Sequence, residues 1–210
     1  MHSVSLLNVV SCFLLLLARI PSCIGQPRQN LRLYRDFTIA GLLIELSGDG
    51  FDNDRMDFDI LIALVRAAGL TGALGGGLSD VTVFAPTDEA FFQLAQEFGF
   101  TGNYDEEAVV SYLAGQVENI ADGTLEENLQ LLLTYHVASG AQSWRQLLNA
   151  GRANTVAGFE VGIRRNRRRR RQLRVLDDSR PYPSIIYRLS NYRVDGAFVH
   201  VINRVMIPSL

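Results

Sequence analysis

The sequence predicts an α+β domain with a largely antiparallel sheet, because helical patterns gather first and strand patterns follow. Apolar residues recur at helical spacing through most of residues 37–151, whereas from Thr155 the period becomes alternating. Val156, Phe159, Val161 and Ile163, then Leu173, Val175, Ile185, Tyr187 and Leu189, then Val194, Phe198, Val199, Val201, Val205 and Ile207 read as strands joined by turns. One strand-like stretch, Val81 to Phe84, stands early among the helices. No internal repeat or low-complexity linker divides the chain, so one domain over residues 37–210 is expected.

Residues 1–25 read as a secretory signal, which predicts a secreted, extracellular protein. Leu6 to Leu17 is apolar apart from Asn8 and Ser11, and Cys23-Ile24-Gly25 precedes Gln26 as a cleavage position. The run is too short to span a bilayer, so no transmembrane segment is expected in the mature chain. Against the reading stand the absence of Lys or Arg before the apolar core and Arg19 just after it; a buried N-terminal helix or a retained anchor are the alternatives. Cys12 and Cys23 both fall in this segment, so cleavage leaves neither disulfides nor thiol chemistry. Residues 26–36 form a polar leader.

Phe37 to Leu46 suits a short helix interrupted by Gly41. Asp49, Asp52, Asp54, Asp57 and Asp59 then invite a calcium reading, but no Gly and Glu stand where an EF-hand loop requires them. A solvated acidic loop is the blander reading. Asp57 is the expected N-cap of a helix whose stripe is Phe58, Leu61, Ile62, Leu64, Val65 and Ala68, stopped by Gly69 with Leu70 folding back. Gly72 to Gly77 reads as a glycine-rich connector and not a phosphate loop, since no Lys-Ser/Thr follows.

The densest local signals lie in Asp80 to Phe91. Val81, Thr82, Val83 and Phe84 suit a buried strand, Ala85 continues it, and Pro86 ends it by removing a donor. Thr87 is the expected N-cap, with Asp88 and Glu89 in the first turn and Ala90, Phe91, Leu94, Ala95 and Phe98 on the buried face. Ala108, Val109, Tyr112, Leu113 and Val117 mark the next helix. Thr124 and Glu127 form a capping box for a helix running into Tyr135-His136-Val137, and Ser143 with Gln146 repeats the logic for a short helix ending near Gly151.

His136 and His200 lie in apolar, strand-like runs, where a buried histidine bonded to a backbone carbonyl or hydroxyl is the expected state. No further ligand completes a zinc set, so no metal or cofactor is expected. No nucleophile motif or His-Glu-x-x-His is present, and the pairs Glu106-Glu107 and Glu126-Glu127 sit at helix starts, where capping explains them. An enzyme is therefore not expected.

Charge is divided along the chain. Asp36 to Glu127 holds 18 acidic residues with only Arg55 and Arg66, whereas Arg145 to Arg204 holds 14 arginines and four acids. Either acidic helices pack against basic strands, or a basic face is presented to an anionic partner. The run Arg164, Arg165, Arg167, Arg168, Arg169, Arg170 and Arg171, with Arg174 beyond, is expected at a hairpin tip turning near Asn166. It is a candidate site for acidic polysaccharide or another polyanion; a solvated loop and a dibasic processing site are the alternatives.

TVFAPTDEAF, within Asp80 to Phe91, resembles the first signature of the fasciclin domain, and Asp195 to Pro208, DGAFVHVINRVMIP, resembles the second. Tyr135-His136 stands where that family has a Tyr-His pair, and DFDILIALVRAAGL resembles the helix before the first signature. The resemblance implies helices packed on a small sheet or β-wedge, with Thr82, Val83, Phe84, Ala85, Pro86, Thr87, Asp88, Phe91, Tyr135, His136, Gly196, His200, Val201, Ile202 and Pro208 as structural motif residues. It also implies that His200 bonds near the Thr-containing turn and holds the two signatures together. Asp195 replaces the usual Asn and Asn203 the usual Asp, both of which still suit turns and caps. The implied function is adhesion or matrix binding without catalysis, through a cell-surface or matrix protein or glycan or through self-association, with no nucleic acid expected. The Asp-Ile pair implicated in integrin binding in some animal relatives is matched here by Ser190-Asn191, so that property does not carry over. No Asn-x-Ser/Thr acceptor is present.

Overall fold

The computed structural model describes residues 37–208 except 49, 77, 119–121, 168, 170–171 and 178. The expected signal and leader, Asp49, Arg168, Arg170 and Arg171 lie outside the described residues.

Helices come first because the apolar residues repeat at their period. They are α1 (Ile39–Ser47), α2 (Asp59–Ala67), α3 (Thr71–Leu74), α4 (Asp88–Glu97), α5 (Glu106–Val117), α6 (Leu125–Tyr135) and α7 (Trp144–Ala150). The strands are β1 (Val81–Pro86), β2 (Val137–Ser139), β3 (Arg152–Asn154), β4 (Glu160–Arg165), β5 (Leu173–Leu176), β6 (Ser184–Ile185), β7 (Tyr192–Val194) and β8 (Ala197–Ile202). The helix ends follow local chemistry. Thr124 and Ser143 complete both capping boxes. Gly69 takes φ +67°, and Leu70 N–H reaches back to Val65 O at 3.0 Å, closing α2.

Two local expectations fail. The residue at the N-cap of α2 is Phe58, which has no capping side chain, and Asp57 is buried instead. Part of the glycine-rich connector closes into the single turn α3, because Ala73 N–H finds Leu70 O and Gly75 N–H finds Thr71 O.

The sheet is larger than the small wedge expected from sequence. Its eight strands run β2-β1-β8-β6-β5-β4-β3, with β7 also paired to β8. An Ala138–Thr155 bridge and a 2.7 Å bond from Val156 N–H to Val137 O join the two ends, so the sheet nearly closes into a barrel. Most pairings are antiparallel, but β1 and β8 are parallel, in register Phe84 with His200. Short strands hid this closure: β2, β3 and β6 have only two or three residues each, too few for a clear alternation. Tyr187 to Leu189 is a 3₁₀ turn, Val156 is an exposed turn residue, and Val205 and Ile207 follow the last strand.

Pleating divides the core. Val81, Val83 and Ala85 of β1 join the helix-covered cluster with Leu64, Phe91, Val109, Leu113 and Leu129. Phe84 points the other way, among Val161, Ile163, Leu173, Val175, Ile185 and Ile202 from the other strands, closed off by Leu147 and Tyr135. With both faces covered, β1 is buried at all six positions.

Candidate functional site

The two sequence signatures meet along the β1–β8 seam. His200 is fully buried; its Nε2–H donates to Gln142 O at 2.9 Å and its Nδ1 accepts from Asn191 N–H at 3.3 Å. Thr82 Oγ1 accepts from Gln142 N–H at 2.9 Å and donates to Gly140 O at 2.6 Å. His200 is thus linked to Thr82 through one shared residue and not directly. Tyr135 is buried, with its ring edge-on to Phe159, and His136 caps the end of α6 instead of lying in a strand. The His136 backbone carbonyl accepts from Phe84 N–H at 2.9 Å, its Nδ1–H donates to Leu132 O at 2.8 Å, and its Nε2 accepts from Met206 N–H at 2.8 Å. Each ring has one nitrogen donating and one accepting, which fixes a neutral tautomer. Burial pushes both imidazoles down to about 4.

Thr87 sits at the N-cap of α4 without a side-chain capping bond, and Phe91 is buried. Asp195 and Gly196 form the two-residue turn between β7 and β8, with φ +46° and +80°. Val201 and Ile202 pair with Ala85 and Pro86, and Pro208 borders a cavity of about 20 Å³ beside Leu94, Phe98 and Ile207. That cavity is far below the roughly 300 Å³ of a small-molecule site.

Strands β4 and β5 form the arginine hairpin. Asn166 N–H donates to Gln172 O at 2.9 Å and Gln172 N–H to Arg169 O at 2.8 Å, so the chain turns after Asn166. Arg164 and Arg174 are directly opposed across the ladder, and they, Arg165, Arg167 and Arg169 are all exposed. Arg165 lies over the Trp144 ring at 5.9 Å. The ion pairs among the described residues are Arg55–Glu89, Arg152–Glu160 and Arg204–Glu97, so only the last joins the acidic and basic halves.

The sequence marked the members of a second charged constellation singly but not their convergence. Asp57, Asp59, Asp88 and Glu106 are 5, 5, 0 and 1% exposed, so only the outer part of the acidic stretch is a solvated loop. Asp88 Oδ1 accepts from Ile60 N–H and Oδ2 from Asp59 N–H, both at 3.1 Å. Glu106 opens α5 but does not cap it; Asp105 does, and Glu106 accepts from Tyr104 O–H at 2.9 Å. Burial raises the carboxyls of Asp57 and Asp88, and burial followed by the charge of Glu106 raises Asp59 to about 6. Carboxylate oxygens of Asp57, Asp88 and Glu106 lie within 4.8 Å of one another. Besides burial, a side-chain hydrogen bond between Asp57 and Asp88 lowers Asp57 and raises Asp88, so the pair shares a proton. Helix-start position suggested capping and concealed this convergence, which depends on three separate segments meeting.

Comparison with known families places this arrangement. The fasciclin domain family model matches residues 56–208. The chain belongs to the fasciclin domain family. Fasciclin domains are in general cell-adhesion modules of extracellular or cell-surface proteins, and the family is a non-enzymatic one. Among solved structures the chain is similar to a FAS1 domain pair from the insect cell adhesion molecule Fasciclin I. That match has 11% identity and a TM-score of 0.57, and covers 82% of this chain and 51% of that one. The chain therefore spans about half the length of that structure, and the likeness concerns the fold. No curated protein sequence matches the chain. In this fasciclin domain no helix among the described residues is long and apolar enough to cross a membrane. Asn191, at the second of the positions matched to the Asp-Ile pair, accepts from Trp144 N–H at 2.7 Å through its side chain. Nothing in its sequence surroundings marked it.

Proposed function

We propose that the protein acts outside the cell as an adhesion or matrix-binding module, recognising a cell-surface or matrix protein or glycan, or a second copy of itself, by surface contact. The family match over residues 56–208 carries this reading. The bonding of His136 and His200 supports it, because each imidazole, the side chain a hydrolase would most use, is engaged by main-chain groups at both ring nitrogens. The motif residues along β1 and β8 hold the fold, and exposed patches make the contacts.

A second reading, favoured by the arginine hairpin, is binding of acidic polysaccharide. Exposed Arg164, Arg165, Arg167, Arg169 and Arg174 concentrate positive charge on one hairpin, and Arg168, Arg170 and Arg171 add to it in sequence. Such charge attracts a polyanion by about 1 kcal/mol per arginine near an anionic surface, and less as salt rises. Cell attachment to coated protein, self-association and salt elution from heparin and alginate columns, run in parallel, separate the two. Adhesion predicts attachment or self-association that survives replacement of Arg167 to Arg171 by Ser. Column retention that vanishes with that replacement, with no attachment by either protein, replaces the first reading by the second. A hydrolytic activity lost in a folded His136 or His200 variant overturns both.

A further inference from the structure

The carboxylates beside the starts of α2, α4 and α5 are unusual less for their number than for what they lack. Asp57 Oδ1, Asp59 Oδ2 and Glu106 Oε2 are buried without a hydrogen-bond partner. A buried polar atom left unpaired is costly, so native proteins pair nearly all of them. Among the described residues no ion pair reaches these side chains, and the neighbouring Arg55 is held by Glu89 and the rings of Phe92 and Tyr104. The outer loop behaves differently: Asp52 Oδ1 and Asp54 Oδ1 accept from the loop's own amides of Asp54 and Met56.

Oxygens of Asp57, Asp88 and Glu106 fall within 4.8 Å of one another, and so do those of Asp52, Asp57 and Asp59. Two oxygens on one calcium ion, each at 2.3–2.6 Å, can stand up to about 5 Å apart, so either trio can share an ion. Asp57 belongs to both trios, and Asp52 is exposed, which connects the buried group to solvent. Every candidate side chain offers oxygen only, the preference of a hard cation, whereas zinc favours nitrogen and sulfur.

We propose that Asp57, Asp88 and Glu106 bind one calcium-like divalent cation that ties together the starts of α2, α4 and α5. The ion supplies the missing partner for Asp57 Oδ1 and Glu106 Oε2 and offsets the repulsion among the three carboxyls. The site is assembled from three segments, which is why the EF-hand spacing that failed in the loop does not bear on it. It is independent of the adhesion reading, since its test involves no partner.

Chelator-treated full chain is titrated with calcium chloride at neutral pH by calorimetry and by thermal unfolding, with magnesium chloride in parallel. Expected are one calcium per chain, a dissociation constant of order 1 mM or tighter, and a melting temperature that rises with calcium. Glu106→Gln weakens binding by at least about tenfold. In chelator it melts no lower than the unsubstituted protein, because a buried like charge has gone. Should Glu106→Gln fail to fold, Asp57→Asn serves, since no backbone amide among the described residues relies on its carboxylate. The absence of both binding heat and a melting shift with calcium overturns the proposal. So does undiminished calcium binding in the folded variant, and a magnesium response equal to that of calcium overturns the calcium assignment.

Discussion

Asp88 caps a helix to which it does not belong: its Oδ1 lies 3.1 Å from Ile60 N–H, across 28 residues of chain, and its Oδ2 serves Asp59. The return contact is Asp88 N–H to Asp57 O at 3.1 Å, so α2 and α4 begin as one hydrogen-bonded unit. Asp88→Ala leaves two buried amides without acceptors, each worth about 1–3 kcal/mol, less the repulsion it relieves. A net loss of about 2 kcal/mol is expected by urea unfolding in chelator. An unchanged midpoint would show that the cap contributes nothing.

The histidines give the fold an acid-sensitive arm. His136 and His200 stay neutral in the folded state down to about 4, whereas an unfolded histidine takes up a proton near 6.5. Their contribution is therefore complete above about pH 6.5 and is lost as pH falls toward 4, by about 3 kcal/mol per histidine at most. Asp57, Asp59 and Asp88, raised by burial, act in the opposite sense over that range. Imidazole resonances isolate the histidines from them. Neither His136 nor His200 should titrate between pH 7 and 5 in folded protein, and a midpoint near 6.5 for either contradicts the geometry.

Asn191 stands at φ +65°, and its two polar groups reach different elements, Trp144 at the start of α7 and His200 in β8. Asn191→Ala removes the acceptor for Trp144 N–H and puts alanine in the left-handed region. A loss of about 2 kcal/mol is expected, because asparagine tolerates that conformation better than alanine. Asn191→Asp keeps the acceptor and should recover most of it. Equal urea midpoints for the alanine and aspartate variants would remove the hydrogen bond from the account.

What could be read in advance was whatever depended on nearby residues. The capping boxes at Thr124 and Ser143, the glycine stop at Gly69 and the alternation through Val161, Ile163, Leu173 and Val175 are local patterns, and each appears in the fold. The parallel β1–β8 pair was not legible, since strand partners 116 residues apart, such as Phe84 and His200, leave no local mark. Asp57 and Glu106 failed for a related reason. Each occupied a position that local capping accounts for, while tertiary packing buried it.

The turn between β7 and β8 tests a departure from the family pattern. Asp195 occupies the place where the family usually has Asn, and both it and Gly196 take positive φ, as a type I′ turn requires of a two-residue hairpin. Asn and Asp both enter that region, so Asp195→Asn should move the unfolding midpoint by less than about 0.5 kcal/mol. Gly196 has φ +80°, and a Cβ there finds Ser79 Cβ at 3.8 Å, ordinary contact, so the penalty of an added methyl is conformational and not steric. Gly196→Ala should then cost about 1–2 kcal/mol while leaving near-UV circular dichroism unchanged. Equal stability for the two variants would mean that backbone strain at this turn does not set the register of β8, and with it the placement of His200.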